Sequence, residues 1–472
     1  MSDRNETWDP FGAWPAARRW LWAALAAMVC LSQGADFVSS LRPGPTEGVD
    51  FFQEWSSARN WLEGVPVYTD LEAAAKRYLG YTLRPGEEMP FTKNAHPPTS
   101  VLLAVPFALI NYPDSTLLWN VSSLVAFAFT LWLIGRAVGL TPGPWLVLPA
   151  LVLLLTCNPF RQQVNQGQLN LVLLLLLTGT WFAERSGRPR SAGILLGLAT
   201  AIKIFPAFFF LYYTLRRRWS VLISGLAGFV ACTVITVAIL GPETYRSYLG
   251  DVVPLVSSYR NDWLNASLTG FWIKWFDSGA ISRFAFPDLP RYLPPVVGNP
   301  AVATVGLILS SLGVLVAWAW AVLRARTQEQ QDVAFGVTTT TMLLLAPVAW
   351  DHYMLLLILP VTQLWIARAT VRRGRILLLL ILACLWLNPL FFWNALLPVP
   401  TVINNAAGAA LWSLVAVSLQ FFALIGLFLL GLKLQEELLR CAPHESRSNR
   451  NPSGSFASIA PLSGTSDANV SS

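Results

Sequence analysis

The sequence is short of charge. Of its 472 residues 12% are charged, against 54% that are hydrophobic. A water-soluble domain carries roughly 25% charged residues. Half that share excludes a large soluble domain and makes lipid the solvent for most of the chain. Histidine and cysteine are scarce too, at three and five. The cysteines (Cys30, Cys157, Cys232, Cys384 and Cys441) lie mostly inside apolar runs. They show neither a disulfide framework nor zinc spacing, and read as buried free thiols. No Gly-rich phosphate loop points to ATP. The formal charge of +7 does not indicate nucleic acid. The basic residues sit in short clusters between apolar runs, as cytoplasmic anchoring requires.

What the chain does have is long uncharged runs. Val221–Leu240, Ala301–Leu323, Ile376–Leu397 and Leu411–Leu432 reach the ~20 residues that cross hydrocarbon. The expected fold is an all-α polytopic membrane protein with about twelve transmembrane helices. They begin near Trp20, Thr99, Ser115, Trp145, Leu169, Ala192, Val221, Ala301, Asp332, Tyr353, Ile376 and Ala406. The first is read as a retained span rather than a signal peptide. Arg216–Arg218, Arg324 with Arg326, and Arg368 with Arg372, Arg373 and Arg375 mark the cytoplasmic side. Residues 1–19 are then a cytoplasmic N-terminus and 20–432 the membrane domain. Within it, 42–98 is a first outer loop and 241–300 a second large one. Residues 433–472 form a cytoplasmic tail, disordered where Ser, Asn, Gly and Pro dominate.

One stretch fits this scheme poorly. A single crossing by Ala192–Leu215 puts Arg185, Arg188 and Arg190 outside. A re-entrant segment broken near Lys203 and Pro206 puts them inside. The single crossing is adopted because it keeps the downstream count simple.

Ionisable groups at membrane depth are costly and tend to be functional. Asp50 opens the first outer loop, Lys203 lies mid-segment, and Asp351 and His352 sit together. Asn165, Gln166, Gln168 and Asn170 crowd a turn before an apolar run. Each has a plainer reading. Asp50 and Asp351 could cap helices, Lys203 could snorkel to an interface, and the amides could satisfy broken backbone. After Asp50, the aromatic residues Phe51, Phe52, Trp55, Trp61 and Tyr68 alternate with Gln53, Glu54, Arg59 and Glu63. That mixture suits an amphipathic helix lying among the headgroups, a floor where a lipid-linked substrate could meet its partner. A sugar on a polyprenyl phosphate already carries a good leaving group. One carboxylate could then serve as base for an acceptor hydroxyl, with a Lys, Arg or His to neutralise the departing phosphate.

Six segments, in order, resemble the polyprenol-phosphate-mannose-dependent α-mannosyltransferases of glycosyltransferase family 87, within the GT-C superfamily. They are Asp50-Phe51-Phe52 with 58–68, His96-Pro97-Pro98-Thr99, Asn158-Pro159 with 167–170, 192–199 running into Lys203, Pro206 and 216–219, Asn265-Ala266-Ser267, and His352-Tyr353 with Pro360. The resemblance implies a GT-C-type membrane fold in the cell (inner) membrane, and transfer of a hexose, mannose first, from a polyprenyl-phosphate donor. The acceptor would be a glycolipid or glycan at the outer face. Displacement from a β-linked donor would invert to an α-linked product. It implies Asp50 as the base, and donor contacts from His352, Lys203, Gln168 and Asn170. Glu54, His96, Asn265 and Tyr353 are expected as acceptor or loop contacts. No metal, no cofactor and no nucleic-acid partner are expected; the bilayer is. His96 departs from the family, which often has Tyr or an apolar residue before the Pro-Pro pair. The alternatives are a transporter or flippase for a lipid-linked substrate, which often shows paired broken helices where this chain has one clear break, and a non-catalytic scaffold, which would not need Asp50, Lys203 and His352 together.

Overall fold

A computed structural model describes residues 7–8, 14–44, 49–80, 92–143, 145, 147–282, 292–367, 372–388 and 406–441. The polar run 81–91, the arginine at 368 and the tail beyond 441 lie outside the described residues.

The chain is almost entirely helical, because backbone groups in hydrocarbon must satisfy one another. Helix α1 (Ala16–Ser40) is followed by α2 (Phe51–Leu62), α3 (Leu71–Leu79) and α4 (Pro98–Ala104). Helix α5 (Tyr112–Val138) starts at a true cap, where Asn111 Oδ1 accepts from the Asp114 amide at 3.1 Å, and ends at Gly139 in the left-handed region. Then come α6 (Val147–Thr156), α7 (Asn158–Gln166), α8 (Asn170–Arg185), α9 (Pro189–Ile202), α10 (Phe208–Leu215) and α11 (Trp219–Leu240). The segment after it holds α12 (Pro242–Ser247), a π turn at Tyr248–Val252, α13 (Val253–Val256) and α14 (Leu268–Phe276). It also holds an antiparallel pair of two-residue strands, Ala280–Ile281 with Tyr292–Leu293. The remainder is α15 (Pro300–Arg324), α16 (Gln328–Leu345), a 3-10 turn at Asp351–Leu357, α17 (Ile358–Ala367), α18 (Arg372–Trp386), α19 (Ala406–Val417) and α20 (Leu419–Cys441).

Helices α1, α5, α11 and α15 are long and apolar enough to cross a membrane, and two bent pairs raise the number to six. This is a multi-pass membrane protein. Its apolar side chains face outward freely: Ile223, Val234, Leu309 and Val316 are each about 60% exposed. Lipid replaces a core on that face.

Two of the expected spans are not single spans. The run from Thr99 is the seven-residue helix α4 and a 3-10 turn, separated by Pro106. Proline ends a helix by removing a donor and clashing with the preceding turn. The adopted single crossing of Ala192–Leu215 is also incorrect. Helix α9 stops at Lys203, which is extended (φ −139°, ψ 137°), and α10 runs back. Tyr213 at its far end donates to Glu184 Oε2 at 3.0 Å, and Arg218 Nε lies 3.5 Å from Glu184 Oε1. Both ends of the segment therefore meet beside α8: it is a hairpin. Its first limb is seated against α11 through glycine. A Cβ on Gly193 would sit 2.3 Å from the Val221 carbonyl oxygen, and one on Gly197 2.4 Å from that of Gly225. Small residues are what let helix backbones approach this closely in lipid.

The hairpin divides the bundle into two ends. At one, Arg185 pairs with Asp332, Trp181 Nε1 donates to Asp332 Oδ1 at 2.8 Å, and Arg216–Arg218 close the hairpin. The tip, Lys203, reaches the other end, where Asp50 lies.

Candidate active site

Helix α2 does not lie on a surface. Residues 51–58 and Asn60 are all buried, so the expected headgroup floor becomes an inner wall. Its aromatic residues pack inward: Phe51 stacks on Trp119 at 5.1 Å and Phe52 meets Tyr112 edge-on at 5.2 Å. Its polar residues hold the segment before α4. Asn94 Nδ2 donates to the Gln53 carbonyl and to Ser57 Oγ, both at 3.1 Å, and the Ala95 amide donates to Gln53 Oε1 at 3.1 Å.

Asp50 is at the N-terminus of α2 but does not cap it; its side chain makes no bond to the helix amides. Asp70, in the same position before α3, does cap, accepting from the Glu72 and Ala73 amides at 2.9 and 3.1 Å. The Asp50 carboxylate instead accepts from Gln168 Nε2 at 2.5 Å. That approach depends on Gly167. Its φ is +63°, and an added Cβ would lie 2.7 Å from Phe51 Cβ. Its carbonyl accepts from Trp119 Nε1 at 2.7 Å. Only glycine meets both conditions without strain.

Lys203 stands behind Gln168. Its Nζ lies 3.3 Å from Gln168 Oε1, 3.3 Å from Asn170 Oδ1 and 3.4 Å from the Tyr353 hydroxyl, and 4.4 Å from the centre of the Tyr353 ring. An ammonium has three protons to give, and three acceptors are present. By holding Gln168 Oε1, Lys203 turns the amide nitrogen toward Asp50. Asn170 in turn donates to Gln163 Oε1 at 3.1 Å.

These groups surround a cavity of about 300 Å³, lined on its polar side by Asp50, Gln53, His96, Gln168, Lys203 and His352. Burial raises the Asp50 carboxyl above the usual carboxylate value, against the opposing pull of His352, the Gln168 hydrogen bond and His96. His352 is 4% exposed and neither ring nitrogen has a hydrogen-bond partner, although Nδ1 is 3.2 Å from Asp351 Oδ1. Asp351 is itself occupied, accepting from the His352 amide at 2.8 Å and from Asn158 Nδ2 at 3.0 Å. His96 pairs through Nδ1 with Glu54, one helical turn beyond Asp50 on α2, and its carbonyl accepts from the Tyr68 hydroxyl at 2.7 Å.

The structure thus brings Asp50, Gln168, Asn170, Lys203, His352, Tyr353, His96 and Glu54 together. Asn265 does not line the cavity. It is fully buried and uses its amide to join loops, donating to the Arg260 and Pro347 carbonyls at 2.8 and 3.1 Å and accepting from the Ala349 amide at 3.0 Å. Arg260, which does line the cavity, was not legible as a site residue. The cysteines at 30, 157, 232 and 384 are free but half-buried rather than buried. Among the described residues no cluster of metal-ligating side chains occurs.

A multi-pass helical protein with a half-buried carboxylate beside a mostly apolar cavity at one end of its bundle has the layout of an enzyme acting on membrane-borne substrates. The chain belongs to glycosyltransferase family 87, whose model matches residues 94–347; that match includes Gln168, Lys203 and Asn265 but begins after Asp50 and ends before His352. It is similar to the polyprenol-phosphate-mannose-dependent alpha-(1-2)-phosphatidylinositol mannoside mannosyltransferase of Mycobacterium tuberculosis, 28% identical over 358 residues, 71% of this chain and 74% of that protein. The protein of the same description from Mycolicibacterium smegmatis is 26% identical over 318 residues, 62% of this chain and 64% of its own. A polyprenol-phosphate-mannose-dependent alpha-(1-2)-phosphatidylinositol pentamannoside mannosyltransferase of M. smegmatis is 25% identical over 282 residues, 58% and 60%. This chain spans less than two thirds of the length of the last two. No solved structure matches. The protein is a glycosyltransferase of the polyprenol-phosphate-mannose-dependent mannosyltransferase family.

Proposed function

We propose that this enzyme transfers mannose from polyprenyl-phosphate-mannose to a hydroxyl of a glycolipid of the phosphatidylinositol mannoside class or a related glycan, with Asp50 as general base. The observation that carries the reading is Asp50 itself: a half-buried carboxylate at a helix start that leaves its helix uncapped and faces a cavity whose polar groups include Gln168, Lys203 and His352. In the reaction the acceptor oxygen forms a bond to C1 of the donor sugar as the C1–O bond to phosphate breaks. The electron pair leaves with the phosphate oxygen, and the acceptor proton passes to Asp50. Attack opposite the leaving group inverts C1. Positioning supplies much of the rate, and Gln168, fixed by Lys203, orients the carboxylate. His352, buried with Nδ1 turned to Asp351 and Nε2 uncommitted, supports a donor contact. Glu54 and His96 form the acceptor wall, and Tyr353 steadies Lys203 from beneath.

The GT-C reading follows the two bundle ends. The arginine-rich end is cytoplasmic by charge, and the cavity opens outward at the cell membrane. Among the described residues the runs from Thr99 and Ala192 drop out as crossings, the second becoming a re-entrant hairpin.

Asp50→Asn tests the base. Purified protein given polyprenyl-phosphate-mannose and membrane glycolipid acceptor should lose about 100- to 10,000-fold in transfer rate, with an unchanged thermal midpoint. Full activity would sink the assignment. Movement of donor across sealed vesicles with no glycosidic bond formed would favour a transporter.

A further inference from the structure

Which side chain neutralises the departing phosphate is a separate question from which one takes the proton. The donor phosphodiester carries one negative charge, and its leaving form gains a second. Besides its histidines, the cavity is lined by two basic side chains, Lys203 and Arg260. Lys203 is buried and surrounded by Gln168, Asn170 and Tyr353 at 3.3 to 3.4 Å. Its three protons are directed into the wall of the site. Arg260 is the opposite case. It is exposed at the cavity rim, and its guanidinium has no hydrogen-bond or ion-pair partner among the described residues. A guanidinium grips phosphate through two parallel N–H donors.

Arg260 is also held where such a contact is useful. The fully buried Asn265 fixes the Arg260 carbonyl at 2.8 Å and ties that turn to Pro347 and Ala349, a few residues before His352. The same segment leans on the first loop through Lys93 and Asp251 at 2.9 Å and through the Tyr68 and Tyr248 rings at 5.9 Å. The wall that carries Arg260 is therefore braced from both sides while the guanidinium stays free.

We infer that Arg260 is the phosphate-binding cation of the donor site, that Asn265 is its positioning residue, and that Lys203 contacts no phosphate. This rests on the polyprenyl-phosphate donor reading. A lipid phosphate could also come from a phosphatidylinositol-based acceptor, so the test separates the two.

The full chain in nanodiscs is titrated with decaprenyl phosphate and, separately, with phosphatidylinositol, reading bound lipid by native mass spectrometry. Arg260→Gln should weaken decaprenyl phosphate roughly 10- to 100-fold, and Arg260→Lys should recover part of that. Phosphatidylinositol binding should not change. In transfer assays the donor KM should rise in Arg260→Gln. Asn265→Ala should show the same donor KM effect in smaller degree. Equal decaprenyl phosphate binding by wild type and Arg260→Gln overturns the inference, and so does a loss confined to phosphatidylinositol. Failure of the wild type to bind decaprenyl phosphate overturns the donor reading instead. Arg260 is exposed and its side chain bonds to nothing among the described residues, so the variant tests binding rather than folding.

Discussion

The two ends of the bundle treat charge in opposite ways. At the arginine-rich end the two acids are paired. Asp332 takes both Arg185 and Trp181, and Glu184 takes Tyr213 and Arg218. At the other end Asp50 leaves its helix uncapped, His352 has no hydrogen bond to either ring nitrogen, and Arg260 has no partner among the described residues. The first arrangement closes a hairpin. The second leaves the His352 ring buried at a cost that a ligand in the cavity would offset. Lys203 belongs to neither class: it is fully engaged, and one of its three bonds orients Gln168.

The comparison can be broken at three places. The largest effect is expected at Lys203. Lys203→Met keeps the volume but frees the Gln168 amide, and transfer should fall on the order of 100-fold, measured as kcat with donor binding retained. A loss confined to donor KM would move Lys203 to the phosphate. Next is pH. As a base Asp50 must be ionised, so activity falls as pH drops through its carboxyl value, which burial sets above the ordinary one. The Gln168 hydrogen bond lowers that value. Gln168→Ala should therefore shift the acid limb of the kcat profile to higher pH, and a limb that stays in place or moves down would detach Gln168 from the base. The smallest effect belongs to the paired end. Glu184→Gln removes one ion pair and should cost about 1 kcal/mol, read as a lower thermal midpoint with donor KM untouched. A changed donor KM would show that the two ends communicate.

Most of the site was legible because its members are rare in apolar sequence. A lysine, an aspartate and a histidine among long uncharged runs need a reason to be there. Arg260 gave no such signal, since an arginine in a polar loop is ordinary and only the fold brings it to the cavity. Helix α2 was misjudged because alternating aromatic and polar residues fit an interfacial helix as well as an inner wall; what decides is that Gln53, Ser57 and Asn60 have partners on neighbouring segments. The span count failed at Thr99 and Ala192 for a single reason. Hydropathy reports how long an apolar run is, not whether it turns back. Adding one crossing at Thr99 and another at Ala192 restored the parity, which is why Asp50 and the segment after α11 were still assigned to one face. The error surfaced only between them, as Arg185, Arg188 and Arg190 on the wrong side.

The hairpin also bears on how the molecule is built. Its limbs, α9 and α10, are 14 and 8 residues long, well under the ~20 that hold a membrane alone, and the tip between them is a lysine. Such a segment gains little by entering lipid on its own. Its seat is the glycine seam on α11, which is synthesised after it. Lys203 therefore reaches Gln168 in a seat that a later helix completes, so part of this site is assembled out of the order in which the ribosome delivers it.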